Sequence, residues 1–240
     1  MAHNSIQTET DFPVLNAKEL VDGMRACLKS LHGAATSKNV KQGGSVVCNP
    51  NIFFDVLRSL SIVPGYALQF IYHKQDCGSE PRLYFWRKDI PPLQFYSQYA
   101  SWNSRHQLID YLVADGTPQS YFELLAFHTM SNQFAQEWHA CYNDQAILVS
   151  MDEVEDLITR RSVESGGASK FTASQVAAMR SLAVQPHVEI AGSEASVFYC
   201  VFSNWGGVSM KSTTFKRTPP HKLLGEETID KVSYNCGILY

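Results

Sequence analysis

Hydrophobic and polar positions along the chain separate into stretches with strand periodicity and stretches with helical character. Residues 66–74 alternate, with large apolar side chains on one face, which predicts a β-strand. Residues 82–87 are its expected hairpin partner. Residues 197–202 are apolar on both faces, which is typical of a central strand, and residues 208–216 should pair with them across a turn at Trp205.

Capping signals predict the helices between these strands. Asn16 is a polar N-cap with a glutamate three residues on, and Thr117-Pro118 places proline at a favoured first helical position. A final strand is expected over residues 232–240. The predicted helices span residues 17–31, about 50–61, 101–113 and about 118–142, and two more begin after Ser150 and Thr172.

One stretch of the chain occurs twice. Residues 58–68 and 180–190 align without a gap and share Arg, Ser, Leu and Pro, and each copy indicates a helix end, a proline stop and a strand start. Similar caps, Gly pairs and Gly-Ser-Glu turns surround both copies in the same order. This pattern predicts an internal duplication, whereas the alternative is that generic caps and turns recur without common ancestry.

These elements predict an α+β fold in which two similar helix–helix–β-hairpin units surround an aromatic-rich helical connector. The expected divisions are a flexible tail over residues 1–13, a first unit over 14–92, the connector over 93–148 and a second unit over 149–240. No Pro- or Ser-rich linker separates the units, so we expect one compact body.

Composition changes the picture mainly by excluding classes of protein. Hydrophobic residues make up 45% of the chain and charged residues 18%, which indicates an ordered globular protein. The net charge of -3 gives no general attraction to nucleic acid or membranes, and the basic and aromatic residues of the first hairpin are a weak nucleic-acid signal. The polar N-terminus lacks a signal-peptide core and the six cysteines lack paired spacing, so a cytoplasmic protein with reduced thiols is expected.

The connector carries most of the candidate binding residues. Residues 90–143 hold only five charges but 11 of the 28 aromatic residues, so a long helix there should be buried on most sides. We expect this segment to form an aromatic cleft between the two units, which binds a partner or a small ligand. The candidate ligand-binding residues are Tyr96, Trp102, His128, Asn132 and Trp205.

A second hypothesis is an enzyme with a reactive thiol. Cys48 precedes the Asn49 cap, and a helix N-terminus favours the thiolate form of a cysteine. His128 or His139 would then complete a Cys–His pair. The alternative is that Cys48 packs on Phe53 as an apolar staple, because Phe171 holds the matching place in the second half.

Helix geometry argues against a metal site. His139 and Cys141 are two residues apart and point to opposite sides of a helix, and His128 lies too far from His139 along the axis to share a metal ion. No P-loop, GxSxG, HExxH or dinucleotide motif is present, and no cofactor is expected. The sequence therefore favours an intracellular, non-catalytic binding protein over a thiol-dependent hydrolase or transferase, and it leaves a homodimer open.

Overall fold

The computed structural model confirms the α+β class, since helices and antiparallel sheets both occur in it. It describes residues 8–35, 49–75, 78–131, 133, 145–163 and 169–237. The helices are α1 (Ala17–Ala35), α2 (Tyr96–Asn103), α3 (Pro118–Ser131), α4 (Met151–Val163) and α5 (Ala173–Arg180), and 3₁₀ helices span Pro50–Asp55 and Leu108–Tyr111. The strands are β1 (Thr8–Pro13), β2 (Leu60–Ile62), β3 (Tyr66–Gln75), β4 (Gly78–Arg87), β5 (Leu112–Ala114), β6 (Ala146–Leu148), β7 (His187–Ala191), β8 (Glu194–Ser203), β9 (Gly207–Lys216) and β10 (Leu223–Val232).

A six-stranded antiparallel sheet forms the centre of the fold. Its strand order is β1-β7-β8-β9-β10, and β6 pairs with the last part of β8, beyond the end of β7. The predicted hairpin between β8 and β9 is confirmed, with Ser203 opposite Gly207 at its turn. Gly207 has a φ of 86°, and a Cβ atom there would lie 2.0 Å from the Val232 carbonyl oxygen, so glycine is required.

Strand β8 has two apolar faces because the sheet is covered on both sides, which confirms it as a central strand. Val197, Tyr199 and Val201 contribute to a larger core that includes residues of α1, α3 and the first half of the chain. Cys200 and Phe202 contribute to a smaller core with residues of α4 and α5. The period of two along β8 thus divides its side chains between two separate cores.

Helix α3 crosses the larger core. Residues 121–127 are all buried, and α3 contacts β7 and β8 as well as α1 and β2. This burial includes Glu123, which is only 2% exposed and accepts the backbone N–H of Ser59 at 2.8 Å. Burial raises the pKa of Glu123, and the hydrogen bond from Ser59 opposes that shift.

The first predicted hairpin is confirmed, with β3 and β4 paired from Tyr66 opposite Arg87 to Gln75 opposite Gly78. It forms a two-stranded sheet of its own, and β2 and β5 form another. Both two-stranded sheets cover the larger core, since buried residues of β2, β3, β4 and β5 belong to it. These four strands therefore pack on the six-stranded sheet without extending it, whereas β1, which precedes them in the chain, is part of that sheet.

The predicted flexible tail over residues 1–13 is wrong in its last part. Thr8–Pro13 forms β1 and pairs antiparallel with β7, with Thr8 opposite Ala191. The pairing continues at the next residue, where the Val14 N–H donates to the Pro186 carbonyl oxygen at 3.1 Å. An edge strand is held by backbone hydrogen bonds on one side, so a polar segment without apolar alternation can form one.

The helix expected over residues 50–61 is a 3₁₀ helix that ends at Asp55. The side chain of Asn51 explains this position, because its Oδ1 accepts the Leu68 N–H at 3.0 Å and its Nδ2 donates to the Leu68 carbonyl oxygen at 2.9 Å. These bonds fasten the segment to β3. A tertiary contact of this kind overrides the local helix signal given by the Asn49-Pro50 pair.

Two other predicted elements are also wrong in their bounds. The helix expected over residues 101–113 is replaced by α2, the second 3₁₀ helix and β5. The last strand in the described part of the chain is β10, which ends at Val232, and residues 233–237 have no strand structure; residues 238–240 of the predicted strand lie outside the described residues. Eight consecutive residues of β10, 224–231, are exposed, so no hydrophobic alternation marks this strand in the sequence.

The internal duplication is not confirmed. Each copy of the repeated stretch leads into a hairpin, β3–β4 in the first half and β7–β8 in the second. The first hairpin is a separate two-stranded sheet, whereas the second is embedded in the six-stranded sheet. Arg180 forms a two-point ion pair with Glu155 at 2.7 and 2.9 Å, whereas Arg58 lies in a turn before β2. The shared residues thus have different surroundings.

Candidate functional site

A cleft in the first half of the fold, which we call the histidine cleft, lies between β4, α2, the second 3₁₀ helix and α3. Its volume is about 330 Å³, at the lower end of the range for small-molecule sites. Its walls combine imidazole, guanidinium, amide and hydroxyl groups with a few apolar side chains. The described residues that line it are Arg82, Leu83, Tyr99, Asn103, His106, Gln107, Leu108, His128 and Ser131.

Aromatic packing fixes one wall of the histidine cleft. His106 stacks on Trp102, with ring centroids 5.4 Å apart, and its Nδ1 shares a hydrogen bond with the Tyr111 hydroxyl at 3.0 Å. Trp102 stacks in turn on Tyr111 at 5.9 Å and packs against Tyr99 at 6.1 Å. Because each ring is held by another, the position of His106 is set before any ligand arrives.

The hydroxyl group of Ser131 is the most informative atom in the histidine cleft. Ser131 is 3% exposed, and its Oγ is buried without a hydrogen-bond partner in the described part of the chain. Leaving a buried hydroxyl unpaired costs about 1–3 kcal/mol, so such groups are uncommon in folded proteins. A polar atom of a bound molecule would recover that hydrogen bond.

The described lining of the histidine cleft has a positive formal charge. Arg82 is a cation, His106 and His128 become cations when protonated, and no acidic residue belongs to the described lining. Two acids outside this lining contact it: Glu226 on β10, whose Oε1 lies 3.9 Å from the His128 Nε2, and Asp110, whose Oδ2 accepts the Gln107 N–H at 2.9 Å. The lining is therefore rich in hydrogen-bond donors and suits a ligand that carries acceptor atoms.

Burial shifts the titration of two groups at the histidine cleft. It lowers the pKa of His128, and the Glu226 carboxylate opposes this shift because it attracts the imidazolium. Burial also raises the pKa of Tyr99. At neutral pH the cleft therefore presents a neutral His128 imidazole and a neutral Tyr99 phenol, both of which can donate or accept hydrogen bonds.

Stability should depend on pH through His128. Since the pKa of His128 is lower in the folded than in the unfolded chain, its contribution is present above about pH 6.5 and is lost as pH falls through the folded pKa. We expect His128→Gln to lose less stability than the wild type between about pH 7 and pH 5, measured by urea unfolding. Glu226→Gln removes the opposing attraction and should increase the loss. Parallel curves for all three proteins would contradict this assignment.

The structure places the candidate residues from the sequence in three regions. His128 lines the histidine cleft, and Tyr96 and Trp102 belong to the aromatic packing beside it, with Tyr96 5.5 Å from Tyr99. Trp205 packs against the smaller core, on the side of α4 and α5. Cys48, Asn132 and His139 lie outside the described residues.

The residues that sequence reasoning missed have no pattern that marks them. Asn103, His106 and Gln107 lie around a helix end, where polar residues are ordinary. Ser131 lies on α3, and a serine among apolar residues is commonly satisfied by a backbone carbonyl one turn earlier. The one available signal was His128, because Ser131 follows it by three residues and shares its helix face.

A larger cleft of about 670 Å³ lies between α1 and α4, and Lys18, Asp22, Arg25 and Glu153 in its lining are paired with one another. Arg25 on α1 donates to Glu153 on α4, and its second nitrogen donates to the Ile147 carbonyl oxygen at 2.7 Å. Glu153 also accepts the Val149 N–H at 2.7 Å, and Lys18 pairs with Asp22 at 2.7 Å. The two Arg25 contacts join the two halves of the chain and indicate a structural role.

The described cysteines do not favour thiol chemistry. Burial raises the pKa of Cys200 to about 12 and also raises the pKa of Cys27, so both remain protonated at neutral pH. Cys236 is buried in the smaller core. Among the described residues, no group of three or more His, Cys, Asp and Glu side chains is arranged to hold a metal ion.

No protein-family model, curated protein or solved structure matches this chain. Within the described ranges, none of the helices has the length and apolar character needed to cross a bilayer.

Proposed function

We propose that this protein is a non-catalytic binding protein whose histidine cleft takes a small, planar molecule with acceptor atoms, such as an aromatic carboxylate. The observation that carries the proposal is the unpaired, buried hydroxyl of Ser131. A cleft that keeps such a group without a ligand loses free energy, and a ligand that bonds to it removes the cost.

The chemistry of the cleft walls supports an anionic, flat ligand. Arg82 and the amide groups of Asn103 and Gln107 can donate to carboxylate oxygens, and no acid in the described lining repels them. The rings of Tyr99 and His106 offer flat surfaces to an aromatic ring. The volume of about 330 Å³ leaves room for one small molecule and excludes a folded protein partner.

Binding without reaction is favoured because the described lining lacks a nucleophile that a neighbour activates. Among the described residues, Ser131 has no base within hydrogen-bond distance, and an activated serine requires one. The two imidazoles, His106 and His128, are the remaining reactive groups, and the Tyr111 hydroxyl holds the first of them. The thiol-dependent alternative depends on Cys48, which lies outside the described residues.

Calorimetric titration with benzoate and with benzamide tests the proposal. We expect benzoate to bind the wild type more tightly than benzamide, because the cleft carries positive charge. Ser131→Ala should weaken benzoate binding up to about tenfold, the equivalent of one hydrogen bond, and leave the free energy of unfolding unchanged or higher.

Ser120→Ala is the matched control for Ser131→Ala. Ser120 is also a buried serine on α3, but its Oγ donates to the Thr117 carbonyl oxygen at 2.7 Å and it does not line the cleft. Loss of the Ser120 hydroxyl should lower the free energy of unfolding by about 1 kcal/mol and leave benzoate binding unchanged. Equal benzoate affinity in the wild type and in Ser131→Ala would refute the role given to the Ser131 hydroxyl.

A further inference from the structure

The Tyr111 hydroxyl lies against one ring nitrogen of His106, a residue in the wall of the histidine cleft. Its oxygen is 3.0 Å from the His106 Nδ1. A neutral imidazole has one N–H donor and one acceptor nitrogen, so the direction of this hydrogen bond decides which tautomer His106 adopts. It therefore also decides whether the Nε2 atom, at the other side of the ring, donates or accepts.

The turn between α2 and the second 3₁₀ helix brings the two side chains together. The Gln107 N–H donates to the Asp110 carboxylate at 2.9 Å, and the Asp110 N–H donates to the Gln107 carbonyl oxygen at 3.1 Å. Trp102 covers one face of the His106 ring, with the ring centroids 5.4 Å apart. The other face and the Nε2 edge are therefore the parts of the ring that His106 can present to the cleft.

The acid–base properties of the two groups place the shared proton on the Tyr111 oxygen. An unperturbed tyrosine has a pKa of about 10 and an unperturbed histidine a pKa of about 6.5. A phenol O–H is therefore a good donor, and the bare nitrogen of a neutral imidazole is a good acceptor. The reverse bond, from an imidazole N–H to a phenol oxygen, would join a weaker donor to a weaker acceptor.

Trp102 favours the same direction from the other side of Tyr111. Burial raises the pKa of Tyr111, which keeps its hydroxyl protonated at neutral pH, and a hydrogen bond from the Trp102 side chain opposes that shift. An indole N–H donates and cannot accept, so this bond uses a lone pair of the Tyr111 oxygen. The hydroxyl proton is then left to donate to the His106 Nδ1.

We infer that Tyr111 is a positioning residue that holds His106 in its Nε2–H tautomer, so that the imidazole donates a hydrogen bond to a ligand in the histidine cleft. The ligand part rests on the proposed function, whereas the tautomer depends on no ligand. Together with the Ser131 hydroxyl, the His106 N–H gives the described lining a second neutral donor. Two such donors suit a carboxylate, whose oxygens are acceptors only.

Nitrogen-15 NMR of the full chain tests the tautomer without a ligand. At about pH 8, where unperturbed histidines are neutral, correlations between ring protons and ring nitrogens distinguish the two tautomers. His106→Gln identifies the His106 signals among those of the eight histidines. We expect the Nε2–H form alone in the wild type. In Tyr111→Phe the Nδ1–H form should become populated as well, which moves the Nε2 resonance toward the average of the two tautomers.

Tyr66→Phe is the matched control for Tyr111→Phe. The Tyr66 ring packs on Tyr111 with centroids 4.9 Å apart, but the hydrogen bond recorded at the His106 Nδ1 comes from Tyr111. This variant should leave the His106 nitrogens at their wild-type positions. The inference is overturned if the wild type shows the Nδ1–H form, or if Tyr111→Phe leaves both ring nitrogens of His106 unchanged.

Adding benzoate tests the donor role of His106. Benzoate should shift the Nε2 resonance of His106 and leave that of His187, which lies on β7 and does not line the cleft, at its original position. Calorimetric binding of benzoate without a shift at His106 would overturn the donor role. If benzoate does not bind at all, the proposed function and the ligand role of His106 fail together, and the spectra of the unliganded chain still decide the role of Tyr111.

Discussion

Replacing Trp102 with alanine should lower the free energy of unfolding by about 3–5 kcal/mol, the usual cost of truncating a buried tryptophan. Trp102 is 5% exposed and packs against Tyr84, Tyr99, His106 and Tyr111 at ring-centroid distances of 5.4 to 6.1 Å. These rings hold one another and cannot close the cavity. The melting temperature should fall by on the order of 10 °C for a chain of this size.

The same substitution also tests whether Trp102 supports the histidine cleft from behind or contacts the ligand directly. It does not line the histidine cleft, but it supports His106, which does. We therefore expect weaker benzoate binding together with the loss of stability. Tyr96→Ala, on the same helix, is the control, because Tyr96 is half-buried and its loss should cost about 1 kcal/mol at most. Unchanged stability with lost binding in Trp102→Ala would instead make Trp102 a direct ligand contact.

Strands with buried side chains could be predicted from the sequence, and exposed strands could not. Strand β8 has an apolar residue at nearly every position because both of its faces are buried, and its turn at Trp205 has the expected glycines. Strands β1 and β10 are edges. They are held by backbone hydrogen bonds to one neighbouring strand, so their sequences show no hydrophobic alternation from which a strand could be predicted.

The histidine cleft could be predicted only in part, for a related reason. The few charges and many aromatic residues of segment 90–143 predict a helix buried on most sides, and α3 is such a helix, with residues 121–127 all buried. The polar lining comes from separate elements that the fold brings together, such as Arg82 on β4 and Ser131 on α3. Residues that come together from distant elements have no characteristic spacing in the sequence. Of the residues predicted for the site, His128 is therefore the one that lies in the described lining.

His221 shows the same limit of pattern reasoning at a position that holds the fold together. It is fully buried, and its Nε2 accepts the backbone N–H of Ala114 on β5 at 3.0 Å. Its Nδ1 therefore carries the proton and donates to the Lys216 carbonyl oxygen at 2.9 Å. A lone histidine after two prolines gives no sequence signal for this link between the first half of the chain and the end of β9.

Replacing His221 with alanine should lower the free energy of unfolding by about 3–5 kcal/mol. The substitution leaves the Ala114 N–H buried without an acceptor, which costs about 1–3 kcal/mol, and it removes a ring that packs edge-on against Tyr121 at 6.2 Å. Urea unfolding at neutral pH measures the change. His221→Phe keeps an aromatic ring at this position, so its loss comes from the two hydrogen bonds together with any cost of fitting the larger ring.

His187→Ala is the matched control for His221→Ala. His187 also contacts an aromatic ring, since it stacks on Phe198 at 4.6 Å, but it lies at the start of β7 and is partly exposed. Its truncation should cost about 1 kcal/mol, the value of one aromatic contact. Equal losses in the two alanine variants would show that His221 contributes only a ring contact, and that the hydrogen bonds to Ala114 and Lys216 add nothing to the stability of the fold.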